Sequence, residues 1–117
     1  MKNNSDLQGH IDRNNSMWKI WEEHGVNEET ELIVNFHFSS PNRNSTESLC
    51  KELLDKNIRF SLNERKKFIF FRTWEISADV EKKWSLYELQ EMTKVLFSLS
   101  KNVGVTLEGL GAKMPKK

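Results

Sequence analysis

The chain reads as an α+β protein, a ferredoxin-like split β-α-β sandwich (βαββαβ, antiparallel sheet) with an extra N-terminal helix. Three observations predict it. Two stretches, Glu31 to Phe38 and Lys66 to Ile76, carry apolar residues at the period of a strand. Two others, Asn44 to Ile58 and Ser85 to Leu99, place them three and four residues apart, as a helix with one buried stripe does. A short strand pattern and a turn separate the two helical stretches. The element order is therefore helix, strand, helix, strand, strand, helix, strand. In this topology the first and third strands are central, and here they are the two richest in apolar residues.

Met1 to Asn15 is polar and rich in Asn and reads as a flexible tail, so structure is expected to begin at Ser16. Met17, Trp18, Ile20, Trp21 and His24 then recur at helical spacing up to Gly25. So short a helix is marginal unless it docks, with Trp18 and Trp21 as anchors and the second face of the sheet as landing site. From Glu31, Leu32, Val34, Phe36 and Phe38 face one way, and Ile33, Asn35 and His37 the other. Asn44 or Ser45 caps the next helix, whose stripe is Leu49, Cys50, Leu53, Leu54 and Ile58, and Asn57 ends it. Ile58 to Leu62 is an edge strand, with turn chemistry in Asn63 to Arg65. The aromatic run KKFIFFRTWEI, Lys66 to Ile76, follows as one strand. Phe68, Phe70, Trp74 and Ile76 share the face toward the crossover helices, while Ile69, Phe71, Thr73 and Glu75 share the other. SADVEKK reads as a polar connection. Ser85 and Glu88 then form a capping box, with Trp84 and Leu89 as its staple, ahead of the stripe Leu86, Leu89, Met92, Thr93, Leu96 and Leu99. Val103 to Leu110 closes the sheet. Residues 16–114 form one domain, and residues 115–117 a basic end.

At 117 residues the chain supports one modest core. With 37% hydrophobic and 30% charged residues it is a folded chain and not a disordered one. Eighteen Lys and Arg against 17 Asp and Glu leave a net charge of +1, so no global field recruits nucleic acid or anionic membrane. One cysteine excludes an internal disulfide and any CxxC motif, and fits a reducing compartment. No stretch approaches membrane-spanning length and the N-terminus lacks an apolar leader core, so the expected location is the cytoplasm.

Signals for chemistry are sparse. His10, His24 and His37 sit at no metal-ligand spacing, and no cofactor, metal or catalytic residue is assigned. Cys50 lies in a helical stripe with no base beside it and reads as a structural thiol. No glycine-rich loop cradles phosphate. The stretch KKFIFFRT loosely matches an RNA-recognition pattern, with Lys66, Phe68 and Phe70 at the lysine and aromatic positions. Side-chain parity argues against direct nucleic-acid binding, because those aromatics share the face of Trp74 and Ile76. Lys67 and Ile69 also stand where the pattern has glycine.

The segment VGVTLEGLGAKM, residues 103–114, follows a helix running from Leu89-Gln90 to Leu99-Ser100. It resembles the end of proteins related to the bacterial regulator of ribonuclease activity B, the ribonuclease E inhibitor family. Leu107, Glu108, Gly109, Leu110 and Gly111 stand where that family has an apolar or aromatic residue, an acidic residue, Gly, Trp and often Gly. EHGVN at 23–27, VNFHF at 34–38 and a Trp-containing third strand are similar in order and spacing, so the likeness spans about Met17 to Met114. Leu110 departs from the family's Trp. The basic PKK end also departs from the long acidic tail of some members.

The resemblance implies a small cytoplasmic regulator without catalytic chemistry that binds a protein partner, a ribonuclease or RNA-degradation assembly. Partner-contact residues are then His37, Phe71, Arg72, Glu75, Glu108 and Leu110, with sheet-face aromatics anchoring an apolar partner segment. If Trp18 and Trp21 seal that face, the helix surface or the last strand remains for a partner. An immunity or antitoxin-like binding protein is the alternative. A small enzyme would require His37, Glu75 and Glu108 to meet in one cavity. The sequence leaves the oligomeric state open.

Overall fold

The computed structural model of the chain describes residues 2–68 and 71–113, with side chains over 6–64 and 73–113. The elements are α1 (Lys2–Glu23), β1 (Glu31–Ser40), α2 (Arg43–Asp55), β2 (Arg59–Phe68), β3 (Phe71–Lys83), α3 (Leu86–Asn102) and β4 (Thr106–Lys113). The strands form one sheet in the order β2-β3-β1-β4, every neighbouring pair antiparallel. This is the predicted split β-α-β order: each crossover helix joins two parallel strands that hold a third between them.

Alternation along β1 sets the two faces. Leu32, Val34, Phe36 and Phe38 are at most 1% exposed; Ile33, Asn35 and Ser39 are half-buried, and His37 is exposed. Directly paired residues lie on the same face. Phe36 pairs with Ala78 and Leu110, and Phe38 with Ile76 and Leu107, so these residues line the helix side. Leu49 and Leu53 of α2 and Leu89 and Leu96 of α3 complete that core. Each fully buried side chain of this size contributes about 1.5–3 kcal/mol through removal of apolar surface from water.

Local chemistry fixes the helix ends. Ser85 accepts from the backbone of Glu88 at 3.1 Å while the Glu88 carboxylate accepts from the backbone of Ser85 at 3.3 Å, the capping box expected from the sequence. For α2 the cap is Asn42 and neither Asn44 nor Ser45, its side chain accepting from Ser45 N at 2.7 Å. Asn57 ends the α2 region with φ +60, a conformation its short polar side chain tolerates.

Three expectations give way. Structure does not begin at Ser16, because α1 starts at Lys2. Nor does α1 land on the second sheet face: it packs along α3 in the helix layer, burying His10, Asn14, Trp18 and Trp21. Those four positions are spaced four, four and three apart, but two of them are polar, so a search for apolar stripes passes over the first half of the helix. Finally, Lys66 to Ile76 is not one strand. β2 runs on through Asn63–Arg65 to Phe68, which pairs with Phe71 at the start of β3. The proposed turn at Asn63–Arg65 is therefore strand, and so is SADVEKK, where Ala78 is buried and Ser77 and Asp79 alternate with it. Trp74 and Ile76 do face the helices. Phe70 and Ile69 lie outside the described residues, as does the side chain of Phe68.

Candidate functional site

The described side chains of the sheet face opposite the helices are mostly polar, and its centre gathers three of the expected residues. On β1, Asn35, His37 and Ser39 point to this side, opposite Asp79, Ser77 and Glu75 of β3. Asn35 donates to the Asp79 carboxylate at 2.6 Å, tying the two central strands through their side chains. Across the other flank, Ser39 pairs with Thr106 and His37 with Gly109 of β4.

The register of β1 with β4 shifts between His37 and Phe38. Leu107 pairs with Phe38 and Gly109 with His37, so Glu108 is the extra residue of a bulge. Its carboxylate turns to the open side, where Ser39 Oγ donates to Glu108 Oε2 at 2.5 Å. Without that extra residue, alternation would carry Glu108 and Leu110 to the same face. With it, Leu110 pairs with Phe36 and packs against the core.

A depression of about 680 Å³ results, lined by His37, Ser39, Asn63, Thr73, Glu75, Thr106 and Glu108 among others. His37, Glu75 and Glu108, the three residues an enzyme would require in one cavity, do meet in it. Leu110 is on the opposite face. Phe71 and Arg72 open β3, and their side chains lie outside the described residues. The apolar bulk expected on this face, Ile69 and the side chain of Phe71, lies outside the described residues, and Ile33 is apolar among the side chains described there.

What the depression can do follows from its exposure. His37, Glu75 and Glu108 are all exposed, so their hydrogen-bonding groups stay in contact with water, and the site lacks the dry, enclosed setting that strengthens catalytic electrostatics. It offers carboxylates, hydroxyls and an imidazole to a polar or cationic group. By strand parity, the described charged side chains of this face are Glu31, Glu75, Asp79, Glu81 and Glu108 against Arg59, Lys83 and Lys113.

Elsewhere, Cys50 is half-buried in α2 and unpaired. Burial, and then the nearby Glu47 carboxylate, push its thiol up, the opposite of an activated nucleophile. Among the described residues no group of three His, Cys, Asp or Glu side chains is placed to hold a metal ion. No helix among them is long and apolar enough to cross a membrane.

The family model for the regulator of ribonuclease activity B matches residues 11–112, from within α1 nearly to the end of β4. The chain belongs to the regulator of ribonuclease activity B family. No curated protein matches it. The matched span takes in both crossover helices, all four strands, the β1–β4 bulge and every expected contact residue. The EGLG segment that carried the resemblance is the bulge itself, Glu108 on the open face and Leu110 on the core side.

Proposed function

We propose that this protein regulates a ribonuclease by binding to it, with no chemistry of its own, and that the open sheet face around His37, Glu75 and Glu108 is the contact surface. The match to the ribonuclease-regulator family over residues 11–112 carries the reading. Three further features support it. The helices all pack on the other face, leaving this one for a partner. The depression is open and polar, suited to recognition by side-chain hydrogen bonds and charge. Its two carboxylates, Glu75 and Glu108, suit a basic or hydrogen-bond-donating patch on a protein partner. Binding changes activity when the regulator covers the substrate path or prefers one conformation of the ribonuclease.

The test is affinity capture with the tagged protein from cells that encode it, followed by assay of any captured ribonuclease. Wild-type protein enriches a ribonuclease and changes its cleavage rate when added in stoichiometric amount. Paired Glu75→Lys and Glu108→Lys substitutions lower the affinity by about tenfold or more through charge reversal at the contact, while the unfolding midpoint holds. Capture lacking any ribonuclease, or an unchanged cleavage rate, overturns the regulatory reading. Undiminished binding by the double variant places the contact elsewhere on the molecule.

A further inference from the structure

The first turns of α1 are held by a histidine that satisfies its partners in only one protonation state. His10 is 6% exposed, its ring edge-on to Phe97 with centroids 5.8 Å apart. Arg13 Nη2 lies 2.9 Å from His10 Nδ1. A guanidinium can only donate, so Nδ1 accepts and the ring proton sits on Nε2. A second proton has only Nδ1 to occupy. There it replaces the hydrogen bond with two opposed donors and sets two positive charges side by side in a part-buried contact.

The neighbouring charges do not cancel this conflict. Asp6 and Arg13 from α1, Lys101 from α3 and Glu108 from β4 line one cavity of about 640 Å³ with His10. The Lys101 ammonium sits 5.5 Å from the centre of the Phe97 ring. Asp6 and Glu108 favour a protonated imidazole, as does the Leu107 carbonyl. Burial and then Arg13 outweigh them and hold the ring below the ordinary 6.5. From Ile11 onward α1 is anchored differently, by the bonds of Ile11 and Asn14 to Gln90 and Thr93 and by Trp18 and Trp21 at 6% and 5% exposure, none of which responds to protons.

We infer that His10 is a proton-operated latch: with the ring neutral, the turns of α1 before Ile11 lie against α3 and β4, and protonation at Nδ1 loosens them. The proton comes from solvent and no other group changes. The undocked ring, at its ordinary 6.5, binds the proton more tightly than the docked one. Docking is therefore at full strength above 6.5 and weakens as pH falls below it, until the docked ring is itself protonated. Each pH unit between the two titrations weakens docking about tenfold. Loosening uncovers Phe97 on α3, buried beneath His10 when these turns are docked.

The test follows His10 ring resonances and amide protection factors by NMR from about pH 8 to about pH 5, the range in which a histidine changes charge. Protection over residues 6–10 is expected to fall as His10 titrates, below 6.5, while protection of β1 and of residues 14–21 holds. Arg13→Gln keeps a donor for Nδ1 but removes the charge; it is expected to move the His10 titration up toward 6.5 and shrink the pH-dependent loss. His10→Gln cannot titrate and is expected to abolish that loss. A titration at or above 6.5, constant protection through the titration, or the same loss in His10→Gln each overturns the latch. If His10→Gln itself undocks the helix, the upward shift in Arg13→Gln decides the question.

Discussion

Asn14 of α1 donates to Thr93 Oγ1 at 2.9 Å and to Gln90 Oε1 at 3.0 Å, both on α3. Gln90 donates back to the Ile11 carbonyl at 3.1 Å and to Asn15 Oδ1 at 3.2 Å, and Thr93 donates to the Leu89 carbonyl at 2.8 Å. Among the described residues no buried side-chain polar atom lacks a partner. This reciprocal set of bonds gives α1 its position in the helix layer, and that position leaves the open sheet face bare.

Asn14→Ala removes both donors and strands two acceptors at a contact where Asn14 is 2% exposed. The expected cost is about 2–3 kcal/mol, seen as a lower urea midpoint at unchanged slope. A midpoint within error of wild type would mean that the bonds are not what seats the helix.

Gly104 and Gly111 should respond oppositely to the same change. Gly104 has φ +79, and a Cβ there would meet Ser45 Oγ at 3.0 Å. Gly104→Ala is expected to destabilise by about 1–2 kcal/mol from the left-handed backbone alone. Gly111 has no positive φ, and nothing lies within 4 Å of an added Cβ. Gly111→Ala should be neutral or slightly stabilising, because it restricts only the unfolded chain. Side-by-side urea titrations compare the two.

Trp84 sits where β3 meets α3, 1% exposed, its Nε1 donating to the Leu32 carbonyl at 3.1 Å and its ring 6.3 Å from that of Phe36. Trp84→Phe loses the bond to a buried carbonyl and leaves a void, for an expected cost of about 2–4 kcal/mol. Calorimetry should record a fall in Tm of about 10 °C or more.

The Cys50 thiol, raised from 9.0 by burial and by Glu47, should alkylate slowly in the folded protein. The rate rises with the thiolate fraction, so its pH profile should have a midpoint above 9.0. Denaturation should bring the midpoint back down. A folded-state midpoint below 9.0 would contradict this environment.

Strand and helix identities were legible wherever the driving pattern was apolar and local. Leu32 to Phe38 alternate, the Ser85–Glu88 box names its helix start, and Leu89, Thr93 and Leu96 mark the buried stripe of α3. Of the site, His37 and Glu75 could be assigned to a common face from parity along their strands. The position of the β2–β3 reversal was not legible, because the residues of Asn63–Arg65 suit a turn as well as an exposed edge strand. The strand character of Ser77–Lys83 was hidden by charges on its solvent side.

The sequence by itself determined the element order, the split β-α-β topology, the inward residues of β1 and α3, and the likeness to a ribonuclease-regulator family. These follow from periodicity, capping and short motifs, each contained in a few consecutive residues. The tertiary structure decided the length and seat of α1, the face of Leu110 and the meeting of Glu108 with Ser39. Each depends on partners far apart in the chain: Asn14 finding Gln90 and Thr93, and a one-residue bulge set by how β4 registers against β1. A polar docking face has no apolar signature, and a bulge reverses side-chain parity without changing the local sequence pattern.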